Sequence, residues 1–296
     1  MDGFPFYRWR KAHEAEQFVP ERFLKEHEKY CVSACARFRE LDYAQDHDWV
    51  LTFGDMYGAS AMILHSRRTV FPIFDGQIAF QFPPHLIRAL RNIDIHALHG
   101  LAPDTQLLQE VLSPFGFAAK EHTDYHLMAL DGGADAVCAA KEPPQGLTLR
   151  RAARSDEERI FPLQAAYEQE EVLSQGARFD ERLCGLRLSK IIADEKMLVA
   201  ELDGKIAGKI NTNAQSYSRY QLGGVYVLPH YRGRGIGTSM TAAFARLLLA
   251  EDKGLTLFAK KTNCRALSMY KKCGFTTIGD YRIAYMQAQS EDRFPS

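Results

Sequence analysis

The chain has 296 residues, of which 46% are hydrophobic and 25% charged, and its 37 basic side chains balance its 37 acidic ones. This composition is typical of a globular protein, is too apolar for disorder, and leaves room for two domains. The zero net charge gives no long-range attraction to nucleic acid or an anionic membrane, and no apolar run could span a bilayer. We therefore expect no nucleic-acid partner and no membrane partner.

Two further features bear on compartment and metal binding. The first ten residues contain no apolar signal-peptide core, which predicts a cytoplasmic protein. The six cysteines lie at positions 31, 35, 138, 184, 264 and 273. They form no CxxC pair and do not stand at zinc spacing with histidines, so we expect reduced structural thiols and no metal.

The N-terminal half contains alternating and helical patterns. Strands are predicted at residues 49–53, 59–65, 77–82 and 94–98, and helices at 84–91 and 103–112. Residues 131–146 are small, rich in glycine and alanine, and contain Pro143-Pro144. Such a segment buries little surface and interrupts regular structure. It predicts a linker between a domain at 1–135 and a second domain at 147–296.

The C-terminal half predicts a mixed sheet. Strands are expected at residues 147–151, 197–202, 205–214, 220–228, 255–259 and 275–286, with helices at 155–175, 236–251 and 266–272. Asp203-Gly204 suits the positive φ angles of a two-residue hairpin turn. The order of elements indicates a mixed α/β sheet rather than an alternating, doubly wound one.

A glycine-rich run joins a predicted strand to a predicted helix. It reads Arg-Gly-Arg-Gly-Ile-Gly from Arg232 to Gly237. Glycines leave main-chain N–H groups accessible, and a helix start adds unpaired N–H donors and the positive end of the helix dipole. A tight turn alone is the alternative, but the two arginines and the amphipathic helix favour phosphate binding. A Walker loop is excluded because no Gly-Lys-[Ser/Thr] follows, and the spacing fails the dinucleotide fingerprint.

The same run resembles the [Gln/Arg]-x-x-Gly-x-[Gly/Ala] signature of the GNAT superfamily of N-acetyltransferases. Downstream, Asn263, Ala266, Tyr270 and Gly274-Phe275 resemble the second motif of that family. The resemblance covers residues 147–288, about half of the chain. It implies an α/β (α+β) fold, with a mixed, mostly antiparallel sheet flanked by helices, and acetyl-CoA as the cosubstrate.

The resemblance also implies roles for individual residues. The main chain of Val225, Tyr226 and Val227 would pair with the pantetheine arm of the coenzyme, as an added strand does. Asn263 would contact that arm, and Tyr270 would be the general acid that protonates the departing thiolate. Main-chain amides would hold the pyrophosphate, and these belong to Arg232, Gly233, Arg234, Gly235, Ile236, Gly237 and Thr238. The implied reaction is direct attack of an acceptor amine, without a covalent enzyme intermediate.

The general base is not evident. Many members of the family have a carboxylate near the start of the fourth strand, where this chain has Gln221. Glu168, Glu170 and Glu171 are candidates that could act through water. A solvated helix face is the alternative that we favour for most of them.

Polar and glycine residues of the neighbouring strands complete the expected site. Gly223-Gly224 predicts a strand bulge, which could free an N–H group near Val225 to polarise the thioester carbonyl. Asn211 and Asn213 share one strand face. They could line the acceptor cleft or lie at a solvated edge.

The two halves share a weak repeat. Gly116-Phe117 aligns with Gly274-Phe275, and Asp124-Tyr-His-Leu127 aligns with Asp280-Tyr-Arg-Ile283. The order of predicted strands and helices is also similar. Two tandem GNAT-like domains are therefore expected, with unrelated α/β structure and a chance match as the alternative.

The first copy lacks the chemistry of the second. Phe82-Pro83-Pro84 stands where the glycine-rich run is expected, and proline removes N–H donors. Leu112 stands in the place of Tyr270. We expect this domain not to bind the coenzyme in the usual manner. It could instead pack against the catalytic half, wall the acceptor site or mediate a homodimer.

The leading hypothesis is an acetyl-CoA-dependent N-acetyltransferase that acts on a primary amine of a small molecule or peptide. The alternative is a non-catalytic acyl-CoA sensor, which Gln221 favours and Tyr270 disfavours. An RNA-associated modification enzyme is a third hypothesis, to which the zero net charge gives no support.

Overall fold

The computed structural model describes residues 8–43, 48–55, 57–76, 82, 94–138, 143–173 and 177–287. They divide into two compact units. Unit 1 comprises Met1–Leu127 together with Gly279–Ser296, and unit 2 comprises Met128–Ile278. This division differs from the predicted boundaries because the last strand belongs with the N-terminal half. Tyr281 to Tyr285 pair in antiparallel register with Leu101 to Ala97.

Unit 1 is a sheet with helices. Its strands are β1 (Arg8–Lys11), β2 (Trp49–Gly54), β3 (Ala59–Ser66), β4 (Thr69–Phe74), β5 (Ala97–Leu101), the first part of β6 (Ala119–Leu130) and the end of β12 (Thr276–Met286). Its helices are α1 (Phe18–His27), α2 (Val32–Arg39) and α3 (Ala102–Leu112). The order β1-β2-β3-β4-β5-β12 is antiparallel except for the parallel pair β4–β5.

The sequence predicted part of unit 1. The strands predicted at 49–53 and 59–65 and the helix at 103–112 are confirmed as β2, β3 and α3. The strand predicted at 94–98 begins three residues later, at Ala97. The helix predicted at 84–91 lies outside the described residues, as does the strand predicted at 77–82 apart from Phe82. The strand β4 was not predicted.

The aligned segments of the repeat contact each other within unit 1. The guanidinium of Arg282 donates to both carboxylate oxygens of Asp124, at 2.7 and 3.0 Å. In the reciprocal pair, His126 Nδ1 lies 3.3 Å from Asp280 Oδ1. Each aspartate therefore meets the residue two positions beyond its own counterpart.

Unit 2 is the predicted mixed, mostly antiparallel sheet flanked by helices. Its strands are β7 (Leu147–Arg151), β8 (Met197–Leu202), β9 (Lys205–Gln215), β10 (Arg219–Val227) and β11 (Gly254–Lys260). Its helices are α4 (Glu157–Tyr167), α5 (Glu181–Asp194), α6 (Ile236–Leu249) and α7 (Cys264–Lys272), with a π-helical turn at Glu168–Val172. The order is β11-β10-β9-β8-β7, and only β10–β11 is parallel.

Helices cover both faces of this sheet. On β8, Leu198 packs in the same cluster as α6, whereas the next residue, Val199, packs with α4 and α5. Successive strand residues point to opposite faces, so the two clusters lie on opposite sides. On α6, Met240 and Phe244 stand one helical turn apart and are at most 1% exposed. Truncating Phe244 to alanine would cost about 3–5 kcal/mol.

Most described residues of the segment predicted as a linker are exposed, as expected, but its middle packs on unit 2. Residues 134–136 form a 3-10 turn, and Val137 is 4% exposed in the core of unit 2. Arg246 donates to the carbonyl of Val137. Alanine and valine side chains are small enough to fill the sheet face beside α6, which composition alone does not reveal.

Among the described residues, no helix has both the length and the apolarity that a membrane span requires.

Candidate functional site

Two parallel strands separate at the centre of unit 2. The register of β10 and β11 runs from Arg219↔Gly254 to Leu222↔Leu257. Beyond that pair, β10 continues to Val227 and β11 to Lys260, with no further register pair between these described residues. Main-chain groups on the facing edges are therefore not used by a β10–β11 ladder. An extended ligand could pair with such an edge.

The glycine loop, residues 232–238, follows β10 and leads into α6. Arg232 to Gly235 are exposed, and Gly233 and Gly235 have φ angles of +80° and +83°. A Cβ atom added at either glycine would meet no atom within 4 Å. Within the described part of the chain, the six main-chain N–H groups from Gly233 to Thr238 have no hydrogen-bond acceptor. The first four residues of the loop are thus exposed, and the N–H groups are directed by the start of a helix, an arrangement suited to a phosphate.

The two arginines of the loop differ. The guanidinium of Arg232 donates to both oxygens of Glu170, at 2.8 and 3.0 Å, and to the carbonyl of Val227, at 2.9 Å. Arg234 lies 5.6 Å from the ring centre of Tyr231 and forms no ion pair with a described carboxylate. Arg232 therefore braces the loop, and Arg234 leaves its charge available at the rim.

The predicted bulge lies in β10. Two residues of β10 stand opposite one residue of β9 between the pairs Gly223↔Asn211 and Tyr226↔Lys209, which defines a bulge. Gly224 has a φ angle of +57°. A Cβ atom there would lie 1.9 Å from Asn211 Oδ1, and one at Gly223 would lie 1.9 Å from Asn213 Nδ2. Glycine is required at position 224, where φ is positive and Asn211 is buried, whereas a Cβ atom at position 223 would displace the exposed side chain of Asn213.

Sequence reasoning missed the most unusual side chain near the bulge. Lys209 is 0% exposed, and its Nζ atom donates to Gly224 O at 2.9 Å and to Asn211 Oδ1 at 3.2 Å. It lies 4.7 Å from the ring centre of Tyr167. Burial lowers the pKa of Lys209 to about 7, opposed by the charge of Glu168. No feature of the sequence distinguishes this lysine from a surface residue of a strand.

The expectation that most of the three glutamates lie on a solvated face is wrong for Glu168, whereas Glu170 is exposed and Glu171 is partly exposed. Glu168 is buried and accepts from Gln164 and Arg187. Glu170 accepts from Arg232 and from the Tyr226 hydroxyl, and the Arg232 bond lowers the pKa of this carboxyl.

The third glutamate, Glu171, accepts from Asn263 Nδ2 at 3.3 Å and lies 3.2 Å from the Lys260 ammonium. Together the three carboxylates fix the π-helical turn to α5, to the glycine loop and to the end of β11. The turn therefore belongs to the framework of the site.

Tyr270 and Asn263 lie on α7. Tyr270 is 6% exposed, burial raises its pKa, and its ring contacts that of Phe275. Its hydroxyl makes no hydrogen bond to a described residue. Asn263 is the N-cap of α7, because its side chain accepts from Ala266 N at 3.1 Å. Its amide is directed by this bond and by Glu171.

The structure thus places Val225, Tyr226 and Val227 on the free edge of β10, next to the glycine loop. The Val227 carbonyl already accepts from Arg232, and the Tyr226 side chain is bound to Glu170. Cys264 is exposed and Cys273 buried. Among the residues that the structure describes, no three His, Cys, Asp or Glu side chains are grouped to hold a metal ion.

Comparison with known proteins agrees with this geometry. Residues 153–275 match the family model described as "Acetyltransferase (GNAT) family". No curated protein matches the chain. This segment is therefore a domain of the GNAT family.

Similar solved structures span nearly the whole chain. One Drosophila protein is 18% identical, covers 92% of this chain and 88% of its own, and has a TM-score of 0.60. A GCN5-related N-acetyltransferase from Sphaerobacter thermophilus is 17% identical, covers 97% of both chains, and has a TM-score of 0.59. A tandem GNAT protein from the clavulanic acid biosynthesis pathway is 11% identical, covers 95% of this chain and 98% of its own, and scores 0.55. At these identities the likeness establishes the fold, which is GNAT-like, and the tandem neighbour supports two copies.

Proposed function

We propose that this chain is an N-acetyltransferase that uses acetyl-CoA and transfers the acetyl group to a primary amine of a small molecule or peptide. One observation carries the proposal: six main-chain N–H groups without acceptors among the described residues stand beside the open edge of β10. The amides suit the charge of a pyrophosphate. The strand edge suits the amide groups of a pantetheine arm. The residues present therefore fit an acyl-CoA.

The coenzyme, when bound, supplies a thioester whose C–S bond breaks as the acceptor nitrogen forms an amide bond with the acyl carbon. The bulge of β10 provides the group that we assign to the carbonyl oxygen, the N–H of Val225. Neither Gly224 nor Val225 has a register partner on β9. An N–H donor aimed at a developing oxyanion is worth about 2.7–4 kcal/mol.

We assign the general-acid role to Tyr270. Burial disfavours the phenolate, so the hydroxyl keeps its proton at neutral pH and can deliver it to the departing thiolate. The proton that the acceptor amine loses goes to solvent, and solvent restores the proton of Tyr270. The three glutamates of the π-helical turn are bound to partners, so we assign the general base to none of them.

A second candidate function is a non-catalytic acyl-CoA sensor. It is supported by the glutamine that stands in place of a catalytic carboxylate. Gln221 is 4% exposed on β10, where many family members have an acidic residue. A sensor would bind acetyl-CoA without turnover. Thiol release measured with a panel of amines and amino acids separates the two, because only an enzyme releases thiol in proportion to an acceptor.

Isothermal titration calorimetry with coenzyme A tests the binding step shared by both candidates. We expect one site per chain in the wild type. Gly235→Val forces a branched side chain onto a φ of +83° and covers the amides, so it should weaken binding. Loss of two hydrogen bonds to a charged group corresponds to a dissociation constant about 100-fold higher.

The matched control is Gly204→Val. Gly204 has a φ of +75° and also has no atom within 4 Å of an added Cβ, but it lies in the β8–β9 turn. It should carry the same backbone strain and retain coenzyme binding. A wild type that does not bind coenzyme A, or equal losses in the two variants, would refute the proposal.

A further inference from the structure

The burial of Lys209 needs an explanation that packing does not provide. A lysine is rarely fully buried without a carboxylate, because an unpaired ammonium loses its hydration. Lys209 forms no ion pair with a described carboxylate. Glu168, the charge that acts on it most strongly, is itself bonded to Arg187 and Gln164. Methionine would fill the same space without that penalty.

The acceptor that Lys209 does have is the carbonyl of the bulge. Gly224 O and Val225 N–H belong to one peptide unit, and the chain contains no cis peptide among its described residues. In a trans peptide, C=O and N–H point in opposite directions. The hydrogen bond from Lys209 Nζ to Gly224 O therefore fixes the orientation of the Val225 N–H on the other side.

This hydrogen bond also changes the strength of the donor. Hydrogen bonds in series polarise one another, and those made by an ionised donor are roughly twice as strong as neutral ones. An ammonium at Gly224 O draws electrons from the peptide and makes the Val225 N–H a better donor. A neutral amine in the same place does so less.

We propose that Lys209 is a positioning residue for acyl transfer, which holds and polarises the Gly224–Val225 peptide so that the Val225 N–H binds the thioester carbonyl. This inference rests on the proposed function and adds a residue that the family motifs do not include. Asn211, which accepts from the same Nζ atom, keeps the amine directed at the bulge.

The state of charge of Lys209 is set by groups from every neighbouring element. The ring of Tyr167 on α4 lies against the ammonium, and Tyr226 on β10 is in register with Lys209. Glu168 on the π-helical turn and Cys184 on α5 favour the charged form. Burial outweighs these and lowers the pKa to about 7. The polarisation of the peptide should therefore decline as pH rises through about 7.

The test is the infrared carbonyl band of acetyl-CoA labelled with ¹³C at the carbonyl and bound to the full chain. In the wild type we expect a shift to lower frequency on binding, which diminishes as pH rises through about 7. In Lys209→Met the shift should be smaller and independent of pH. The control is Lys205→Met, an exposed lysine of the same strand, which should behave as the wild type.

Two companion measurements exclude a merely structural role. Coenzyme A should bind to Lys209→Met within about twofold of the wild type, because the glycine loop is separate from the bulge. The melting temperature of Lys209→Met at pH 7 should not fall below that of Lys205→Met, because a buried amine is lost. A fall would make Lys209 a structural residue and overturn the inference.

The outcomes separate the inference from the proposed function. A wild-type shift that Lys209→Met retains at every pH overturns the role of Lys209 and leaves the rest intact. A wild type that binds acetyl-CoA without a carbonyl shift contradicts the role of Val225, and with it the inference. No binding by the wild type contradicts the proposed function itself.

Discussion

Both units contain a parallel strand pair that separates, and the two pairs end differently. In unit 1, β4 and β5 are in register only at Thr69↔Ala97 and Val70↔Leu98. The space beyond is a cavity of about 20 Å³, enough for roughly one water. It is lined in part by Phe71, Phe74, His99, Asp104 and Tyr281. In unit 2, β10 leads instead into an exposed loop of free amides. Separation of two strands provides room, but the adjoining side chains decide whether a ligand can use it.

The buried tyrosines give the sharpest contrast between the units. Tyr270→Phe in unit 2 should lower kcat by about 10²–10⁴-fold, because it removes the proton for the leaving thiolate. Binding of coenzyme A should be unchanged. Tyr281→Phe, at an equally buried tyrosine of unit 1, is the control and should leave kcat unaltered. Steady-state thiol release measures kcat for both variants. Equal losses of kcat would contradict a catalytic role for Tyr270.

Lys209 should make unit 2 less stable at neutral pH than at alkaline pH. Its pKa in the folded chain, about 7, lies below the ordinary 10.5, so unfolding takes up a proton between these values. Its contribution to stability therefore rises with pH over that window. Lys209→Met should be more stable than the wild type by ~3 kcal/mol at pH 7, and the difference should vanish near pH 10.5. Denaturant unfolding at several pH values measures it; a destabilised variant would contradict this.

Asp104 should give unit 1 the opposite dependence. Burial raises the pKa of this carboxyl to about 6, opposed by the bond from Phe74 N. The folded chain then binds the proton more tightly than the unfolded one, so stability is lost as pH rises from about 4 to 6. Asp104→Asn should be more stable by ~2 kcal/mol at pH 7 and equal to the wild type near pH 4.

Asp94→Asn is the control for that measurement, because Asp94 is 65% exposed in its pair with Arg68. It should change stability by less than ~1 kcal/mol at either pH. An Asp104→Asn variant that is no more stable than the wild type at pH 7 would show that burial of this carboxylate does not destabilise unit 1.

The smallest expected effect concerns the rim of the glycine loop. Arg234 has no described carboxylate partner, so its charge is available to a phosphate. Arg234→Gln should weaken coenzyme A binding by about 1 kcal/mol, or roughly fivefold, and reduce the salt dependence of binding. Arg182→Gln, at an exposed arginine of α5, is the control. Titration at two salt concentrations distinguishes them.

Local patterns predicted the elements of unit 2 well. The hairpin at Asp203-Gly204, the amphipathic α6 and the bulge at Gly223-Gly224 depend on residues that lie close together in the chain. The glycine loop is also such a local feature, because its glycines are sufficient to permit the positive φ angles. Its exposure and free amides could therefore be predicted without knowledge of distant contacts.

Contacts between distant residues could not be predicted in this way. Lys209 and Asn211 share one face of β9, and polar residues at alternate positions usually indicate a solvent face, but Tyr167 of α4 covers Lys209. Glu170 and Arg232 lie 62 residues apart, so no spacing rule joins them. The pairing of β12 with β5 likewise gives no local signal in the sequence. The predicted domain boundaries therefore placed β12 in the wrong half.

The assignment of Gly279–Ser296 to unit 1 has a consequence for synthesis on the ribosome. Residues 97–101 emerge long before their partners at 281–285, so β5 has an unpaired edge throughout translation of unit 2. Open strand edges recruit other chains. We therefore expect the N-terminal half to aggregate when it is expressed without residues 279–296, because its sheet then lacks β12.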